Sequence, residues 1–350
     1  MKISFTILLT LFNFFVFGQN DFEYYFGQAQ SKLDSDKYSE AANDFSNALR
    51  VKEKAKNDYR IAAALIGRSQ CRMNLKSYQA AINDIEEAIK LKPEYTDLYL
   101  VRSRIHLRNK QYDEAILWAN KGLLIKPEYE ELIIVKITAN VKKKNYKAAM
   151  INIDSVLVIN PKNTQALTSK GNVLHHQKDY KGGIEAFSKT IEIEPQNYEA
   201  FFDRGICKAF LKDFDGALAD ITRGMEIDSL EKWIGYNNIA FFIKFEEKDF
   251  QGSLKYFDDA IKINPKFSYA YNNRGYAKLQ LKDLKGAKQD ISKSIELDPK
   301  NSYAFRTMAL LLLAENKEKQ ACEQLKKAID LGYADDYDDE VENLQKLHCK

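Results

Sequence analysis

Proline is scarce in this chain, with six in 350 residues, and no stretch is rich in Pro, Gly or Ser. That scarcity excludes a visible flexible linker or low-complexity tail and implies order along the chain. Histidine and cysteine occur four times each. No two cysteines form a CxxC pair, so the spacing offers neither a metal cage nor a thioredoxin-like redox motif. Charge of one sign is also missing. The 53 basic and 50 acidic residues leave a net charge of +3, a mixed surface with no bulk attraction for nucleic acid or anionic lipid. No HExxH pair, Gly-rich phosphate loop or GxSxG elbow occurs. His175 and His176 are adjacent, about 100° apart on a helix, and point to different sides. We therefore expect no catalytic set, no metal and no cofactor.

A long apolar run occurs only at the start, where Lys2 is followed by ISFTILLTLFNFFVF and then Gly18, Gln19 and Asn20. The run is short for a membrane-crossing helix, and Val16 and Gly18 suit the small-residue rule of a signal peptidase. Residues 1–18 are expected to be an export signal cleaved near Gly18. No cysteine stands there to take a lipid anchor. The mature chain is thus expected to be periplasmic or secreted, without membrane insertion.

What is present is punctuation. Pro93, Pro127, Pro161, Pro195, Pro265 and Pro299 are separated by 34 residues, or in one gap by twice 34 plus two. A second residue class reports the same period. Small residues stand at Ala41, Ala81, Ala115, Ala149, Gly183, Ala217, Ser253, Ala287 and Ala321. Three before each stands a large residue, from Tyr38 to Leu284, with Glu318 breaking the rule. Four after each comes another, from Phe45 to Leu325. Seven after come Ala48, Ala88, Gly122, Val156, Thr190, Gly224, Ala260, Ser294 and Ala328. Offsets of −3, 0, +4 and +7 lie on one face of a helix. Small residues on it let two backbones approach, and large ones fill the space beside them. A second helical stretch precedes each of these across a short polar turn, and Pro stops the pair in the loop that follows. Each period is a helical hairpin.

This 34-residue helix–turn–helix resembles the tetratricopeptide repeat. The resemblance implies an all-α α-solenoid of about nine hairpins forming a right-handed superhelix. The units fall at about 22–55, 62–95, 96–129, 130–163, 164–197, 198–232, 233–267, 268–301 and 302–333. Two irregularities interrupt them: six extra residues near KEKAKND, and one extra residue placed in the hairpin turn of the unit at 233–267. Residues 335–350 are expected to form a capping helix, with Val341, Leu344 and Leu347 as its apolar stripe and the acids from Asp335 to Glu340 at its start.

In proteins of this kind the first helices line a concave groove through positions two, five, nine, twelve and thirteen. Carried onto this chain, those positions make Asn172, Phe202, Phe210, Asn237, Phe241, Tyr269, Asn272 and Tyr276 the candidate peptide-binding residues. Phe201, Tyr236 and Tyr271 are assigned to the core. No unit has the Lys then Asn at positions five and nine that a carboxylate clamp requires, so binding of heat-shock-chaperone tails is not implied. Arg102, Arg104, Arg108 and Lys110 form the densest basic cluster and the candidate for an anionic ligand. Cys322, near the start of the last second helix, and Cys349, at the end of an antiparallel cap, come to one level and are expected to be bonded or adjacent. Cys71 and Cys207 should be buried thiols. The function these features suggest is a non-catalytic scaffold for a protein or extended peptide. Two alternatives stand beside it: a structural subunit of an envelope or secretion assembly that binds through its convex face, and an accessory to an envelope enzyme. Oligomeric state is not legible.

Overall fold

The computed structural model describes residues 21–55, 57–333 and 340–349. The expected export signal and most of the acidic run at 335–340 lie outside the described residues. Nineteen α-helices and no strand occur among the described residues, and the helices pack as consecutive pairs. Two compact units divide the chain at 1–173 and 174–350.

The first unit contains four hairpins: α1 (Phe22–Asp34) with α2 (Tyr38–Arg50), α3 (Asp58–Asn74) with α4 (Tyr78–Leu91), α5 (Thr96–Arg108) with α6 (Tyr112–Ile125), and α7 (Glu130–Lys142) with α8 (Tyr146–Ile159). The division falls inside α9 (Thr164–His176). The extra residues near KEKAKND become a 3₁₀ turn at Lys52–Lys54 and a longer α3 of 17 residues, whose N-cap Asn57 accepts from the Arg60 amide.

The second unit holds α10 (Tyr180–Ile193), α11 (Tyr198–Phe210) with α12 (Phe214–Ile227), α13 (Lys232–Asn238) with α14 (Phe250–Ile263), α15 (Ser268–Gln280) with α16 (Leu284–Leu297), α17 (Ser302–Ala314) with α18 (Glu318–Asp330), and the cap α19 (Glu340–His348). Second helices begin at the large residue three before the small one, from Tyr38 to Glu318, and the 0, +4 and +7 positions are buried in all nine. Large side chains alternate with small ones there, so two backbones close on each other without a void.

Four second helices of this unit share a start signal. Asp179, Asp213, Asp249 and Asp283 cap them, each carboxylate accepting from the amide of Gly182, Gly216, Gly252 or Gly286 at 2.8–3.0 Å. A Cβ on any of these glycines would come within 2.1–2.5 Å of the capping carboxylate. The sequence DxxG therefore marks the start of these helices, with the glycine leaving room for the carboxylate.

The hairpin turns carry the period independently. Asp36, Lys76, Lys110, Lys144, Lys178, Lys212, Lys248, Lys282 and Asn316 all have φ between 56° and 65°. Each ends a first helix in the left-handed conformation that usually falls to glycine. At Lys110 the amide donates to the Leu107 carbonyl and the next amide, Gln111, reaches back to His106, the Schellman pattern. Non-glycine residues are strained here. Lys110→Gly and Lys282→Gly are each expected to stabilise the fold by about 0.5–1 kcal/mol, and chemical denaturation of the single and double variants measures the gain.

The extra residue of the unit at 233–267 is not in its hairpin turn, contrary to the expectation. That turn is ordinary: Lys248 donates to Phe245 and Asp249 to Lys244, as Lys282 does to Leu279 and Asp283 to Lys278. The residue is taken up inside the first helix, where α13 continues as a π turn at Ile239–Lys244 and the Phe245 amide bonds to Ala240, five residues back. Asn237, Asn238, Ile239, Ala240 and Ile243 on both sides of the widening are buried. The turn and the buried face hold their register, and the slack goes into one wide turn.

Cys322 and Cys349 form a disulfide, with Cα atoms 5.7 Å apart. It ties α19 to α18. Val341 is buried and Leu344 packs on the same cluster, but Leu347 is 68 % exposed. Leu347 is thus not part of the cap's stripe; Cys349, on the face of Val341, takes that place against the cluster.

Candidate functional site

Within the second unit lies a cleft of about 560 Å³, lined by first helices, the π turn and the cap. Phe210 comes from α11, Asn237 from α13, and Phe241, Phe242, Phe245 and Glu246 from the π turn and the residues just after it. Tyr269, Asn272, Asn273 and Tyr276 come from α15, and Tyr303, Arg306 and Thr307 from α17; Tyr333 and Glu340 close the far end.

The π turn is why so many rings meet here. A wide turn spreads consecutive side chains, and Phe241, Phe242 and Phe245 form one cluster, with ring centroids 5.0 Å apart for the first pair and 5.3 Å for Phe241 and Phe245. Phe242 reaches Phe210 at 5.7 Å and Phe245 reaches Tyr276 at 5.6 Å. Phe210 also stacks on Tyr180 at 4.7 Å and touches His175. Burial, and then the neighbouring His176, lowers the pKa of His175.

The polar groups are arranged as a line and a lock. In the line, Asn272 Nδ2 donates to Asn273 Oδ1 and Asn273 Nδ2 donates to Asn237 Oδ1, both at 3.1 Å. Asn272 is 5 % exposed, and its Oδ1 is buried with no hydrogen-bond partner. In the lock, Arg306 donates to Glu340 of the cap at 3.2 and 2.5 Å, and the Tyr333 hydroxyl donates to the same carboxylate at 3.2 Å. The guanidinium also lies 5.0 Å from the Tyr276 ring. Glu246 is paired with Lys212. Charges on the wall are therefore compensated, while one amide oxygen on the floor is not.

Of the groove candidates, Phe210, Asn237, Phe241, Tyr269, Asn272 and Tyr276 line this cleft. Asn172 does not; it is half-buried on α9 in the first unit. Phe202 is a correction. It is 4 % exposed and packs in the core with Ala217, Ile221 and Met225, and a Cβ on Gly224 would fall 2.5 Å from its ring. Of the adjacent pair, Phe202 is the core residue and the half-buried Phe201 lies near Arg204. Both sides of α11 are apolar, so hydropathy alone could not choose between two residues about 100° apart. Tyr303, Arg306, Tyr333 and Glu340 were not foreseen. Tyr303 and Arg306 occupy positions two and five of the last unit, so extending the groove rule by one repeat finds them.

The basic cluster is largely engaged. Arg102 pairs with Glu86 at 2.6 Å and stacks 3.5 Å over Trp118, and Arg108 donates to Asn74.

Arg102 belongs to a device that the sequence reading missed. Arg68, Arg204 and Arg274, each sixteen residues before Asp84, Asp220 or Asp290, pair with these carboxylates at 2.6–2.7 Å. A second cation one turn on, Arg72, Lys208 or Lys278, holds the other oxygen at 2.6–2.8 Å. The three aspartates are 2–5 % exposed. In the third hairpin the equivalent of the aspartate is Trp118, and Arg102 stacks on it. In the fourth it is Asn152, and burial lowers the pKa of Lys136 opposite. The pattern R-x₃-[RK]-x₁₁-D was legible as spacing.

Burial, and then Glu199, pushes the Asp203 carboxyl on α11 up to about 7. The folded state thus keeps a proton that the unfolded chain releases near pH 4, so this group favours folding below about pH 4 and loses that contribution as the pH rises to about 7. Asp203→Asn is expected to melt several degrees above the unsubstituted protein at pH 8, with the difference closing toward pH 4. Thermal melts followed by circular dichroism across that range test it. Burial likewise raises the thiols of Cys71, to about 11, and Cys207, to about 12; both are free and buried.

Among the described residues no group of three or more His, Cys, Asp or Glu is placed to hold a metal, and no helix is long and apolar enough to cross a membrane. A stack of helical hairpins with an aromatic cleft on its first helices defines a repeat scaffold, the class to which the comparisons also lead. Residues 26–93 and 72–129 match one tetratricopeptide-repeat model, and residues 268–301 match another. A crystal structure of a tetratricopeptide repeat protein from Parabacteroides merdae ATCC 43184 is 16 % identical over 83 % of this chain and 100 % of its own, with a TM-score of 0.53. The APC/C hetero-tetramer Cut9–Hcn1 gives 12 % identity over 94 % of this chain and 76 % of its own, with a TM-score of 0.56. At these identities the likeness is one of fold. No curated protein matches the sequence. Residues 26–129 and 268–301 are thus tetratricopeptide repeats, set in a chain of the same helical-hairpin fold.

Proposed function

We propose that the protein is a non-catalytic scaffold that holds an extended segment of another protein in the cleft of the second unit. The observation that carries this reading is a cleft with aromatic walls and a line of amides, Asn272, Asn273 and Asn237, along it. An extended peptide brings amides at every residue, and aromatic walls supply contact area at low entropic cost. Compensation of Arg306 by Glu340 and of Glu246 by Lys212 favours a ligand without strong net charge. The repeat fold is in general a scaffold, and the Cut9–Hcn1 neighbour is itself a protein complex. We place this activity in the periplasm or outside the cell, after removal of residues 1–18.

Two measurements test the reading. The mass of the exported product should correspond to a chain beginning just after Gly18; an uncleaved chain in the membrane fraction overturns the placement. A display library of neutral, aromatic-containing peptides should yield binders to the intact protein that are lost with Phe241→Ser and Tyr276→Ser and with Asn272→Leu. Binders indifferent to all three substitutions overturn the cleft as the site.

A further inference from the structure

The second helices of the repeats turn one row of side chains outward, and nine repeats allow that row to be compared with itself. Nine residues after the small position stand Arg50, Lys90, Leu124, Val158, Glu192, Glu226, Lys262, Glu296 and Asp330. Seven repeats are charged there, and two consecutive ones are aliphatic. Two residues after the small position the same two repeats carry Leu117 and Ile151, where all but one of the others are polar. None of these four side chains is covered: Leu124 is 86 % exposed, Val158 82 %, Ile151 61 % and Leu117 45 %. Four aliphatic groups thus stand on the outward faces of α6 and α8 of the first unit, on the side opposite their hairpin cores, where the fold elsewhere uses charge. Exposed apolar side chains gathered on neighbouring repeats in this way mark an interaction site.

Charges flanking these side chains indicate what covers them. Along the outward face of α6 the order is Asp113, Leu117, Lys121, Leu124; along α8 it is Lys147, Ile151, Asp154, Val158. The two rows have the same apolar spacing and opposite charges at one matching place, Asp113 and Lys147, while Lys121 and Asp154 are opposite in sign but one residue apart in register. Both helices are second helices of consecutive repeats and run in the same sense. We propose that this face pairs two copies of the chain about a two-fold axis parallel to α6 and α8. Each α6 then lies beside α8 of the second copy. Leu117 meets Ile151, Leu124 meets Val158 and Asp113 meets Lys147, with Lys121 and Asp154 one residue apart along the pair, and the symmetry repeats every contact once. The antiparallel pairing sets Asp113 against Val158 and Lys147 against Leu124, leaving both charges on apolar groups. Within one copy Asp113 pairs with Lys143 and Asp154 with Lys170, but these carboxylates remain 82 % and 61 % exposed and open to a second cation. Lys121 lies over Trp118 with its ammonium 3.8 Å from the ring.

Two helices per copy make a small interface, so the dimer is expected to be reversible. Sedimentation equilibrium of the purified, oxidised chain over about 1–100 µM should show monomer and dimer. Leu124→Glu with Val158→Glu installs residues that other repeats carry at this position, so the hairpins keep their fold, and should weaken association by at least about 100-fold. The charge swap separates this register from general stickiness. Asp113→Lys alone and Lys147→Asp alone should each weaken the dimer, and the two together should restore it. A chain that stays monomeric throughout the range, a dimer unaffected by the glutamates, or a double swap no better than the singles overturns the proposal.

Discussion

Phe202→Ser should cost the second unit about 3–5 kcal/mol, the loss typical of a buried phenylalanine emptied of its ring. Its ring fills the space that Gly224 and Gly235 leave open, a Cβ on either falling within 3.4 Å of it. Serine would leave a cavity between α11, α12 and α13 and put an unpaired hydroxyl in it. By contrast, Phe241→Ser and Tyr276→Ser remove half-buried rings from the cleft wall and should cost roughly 1–2 kcal/mol each while helical content is kept. Hydrogen exchange of α11 to α13, together with urea denaturation, measures the contrast. Equal losses at all three positions would return Phe202 to the cleft or move the other two into the core.

The second large effect concerns the buried aspartates. Replacing Arg274 and Lys278 together by Leu leaves Asp290 at 5 % exposure with no counter-charge, which should cost about 3–5 kcal/mol. Adding Asp290→Leu should recover most of that loss, because an apolar trio avoids desolvating three charges. Denaturation of the double and triple variants gives the comparison. If the triple variant is as unstable as the double, the trio contributes a net attraction larger than its desolvation cost.

These two experiments fall where sequence reading was least sufficient. Period, hairpin, helix starts and the Cys322–Cys349 pairing were legible because each is a matter of spacing, and spacing survives in one dimension. Phe201 and Phe202 were read in the wrong order because a helix with apolar residues on two sides has no single inward direction until its neighbours are placed. The arginine and aspartate trios were passed over because charged residues on a helix are usually solvated, and only their recurrence sixteen and twelve apart shows that they face one another. The cleft was half legible. Position rules reached Phe210, Asn237, Phe241, Tyr269, Asn272 and Tyr276, but Phe242 and Phe245 owe their place to a widened turn that no residue type announces.

That widened turn sets a rule for how this array tolerates change. One residue added to an α-helix rotates all that follows by about 100°, which would swing a buried face out to solvent. At Ile239–Lys244 the rotation is spent within one loop of backbone, so the capping aspartate and the stacking face arrive in phase with those of the neighbouring repeats. Insertion and stacking are thereby decoupled. The contour of the cleft can be recut by single residues in its first helices while the hairpins on either side keep their fit.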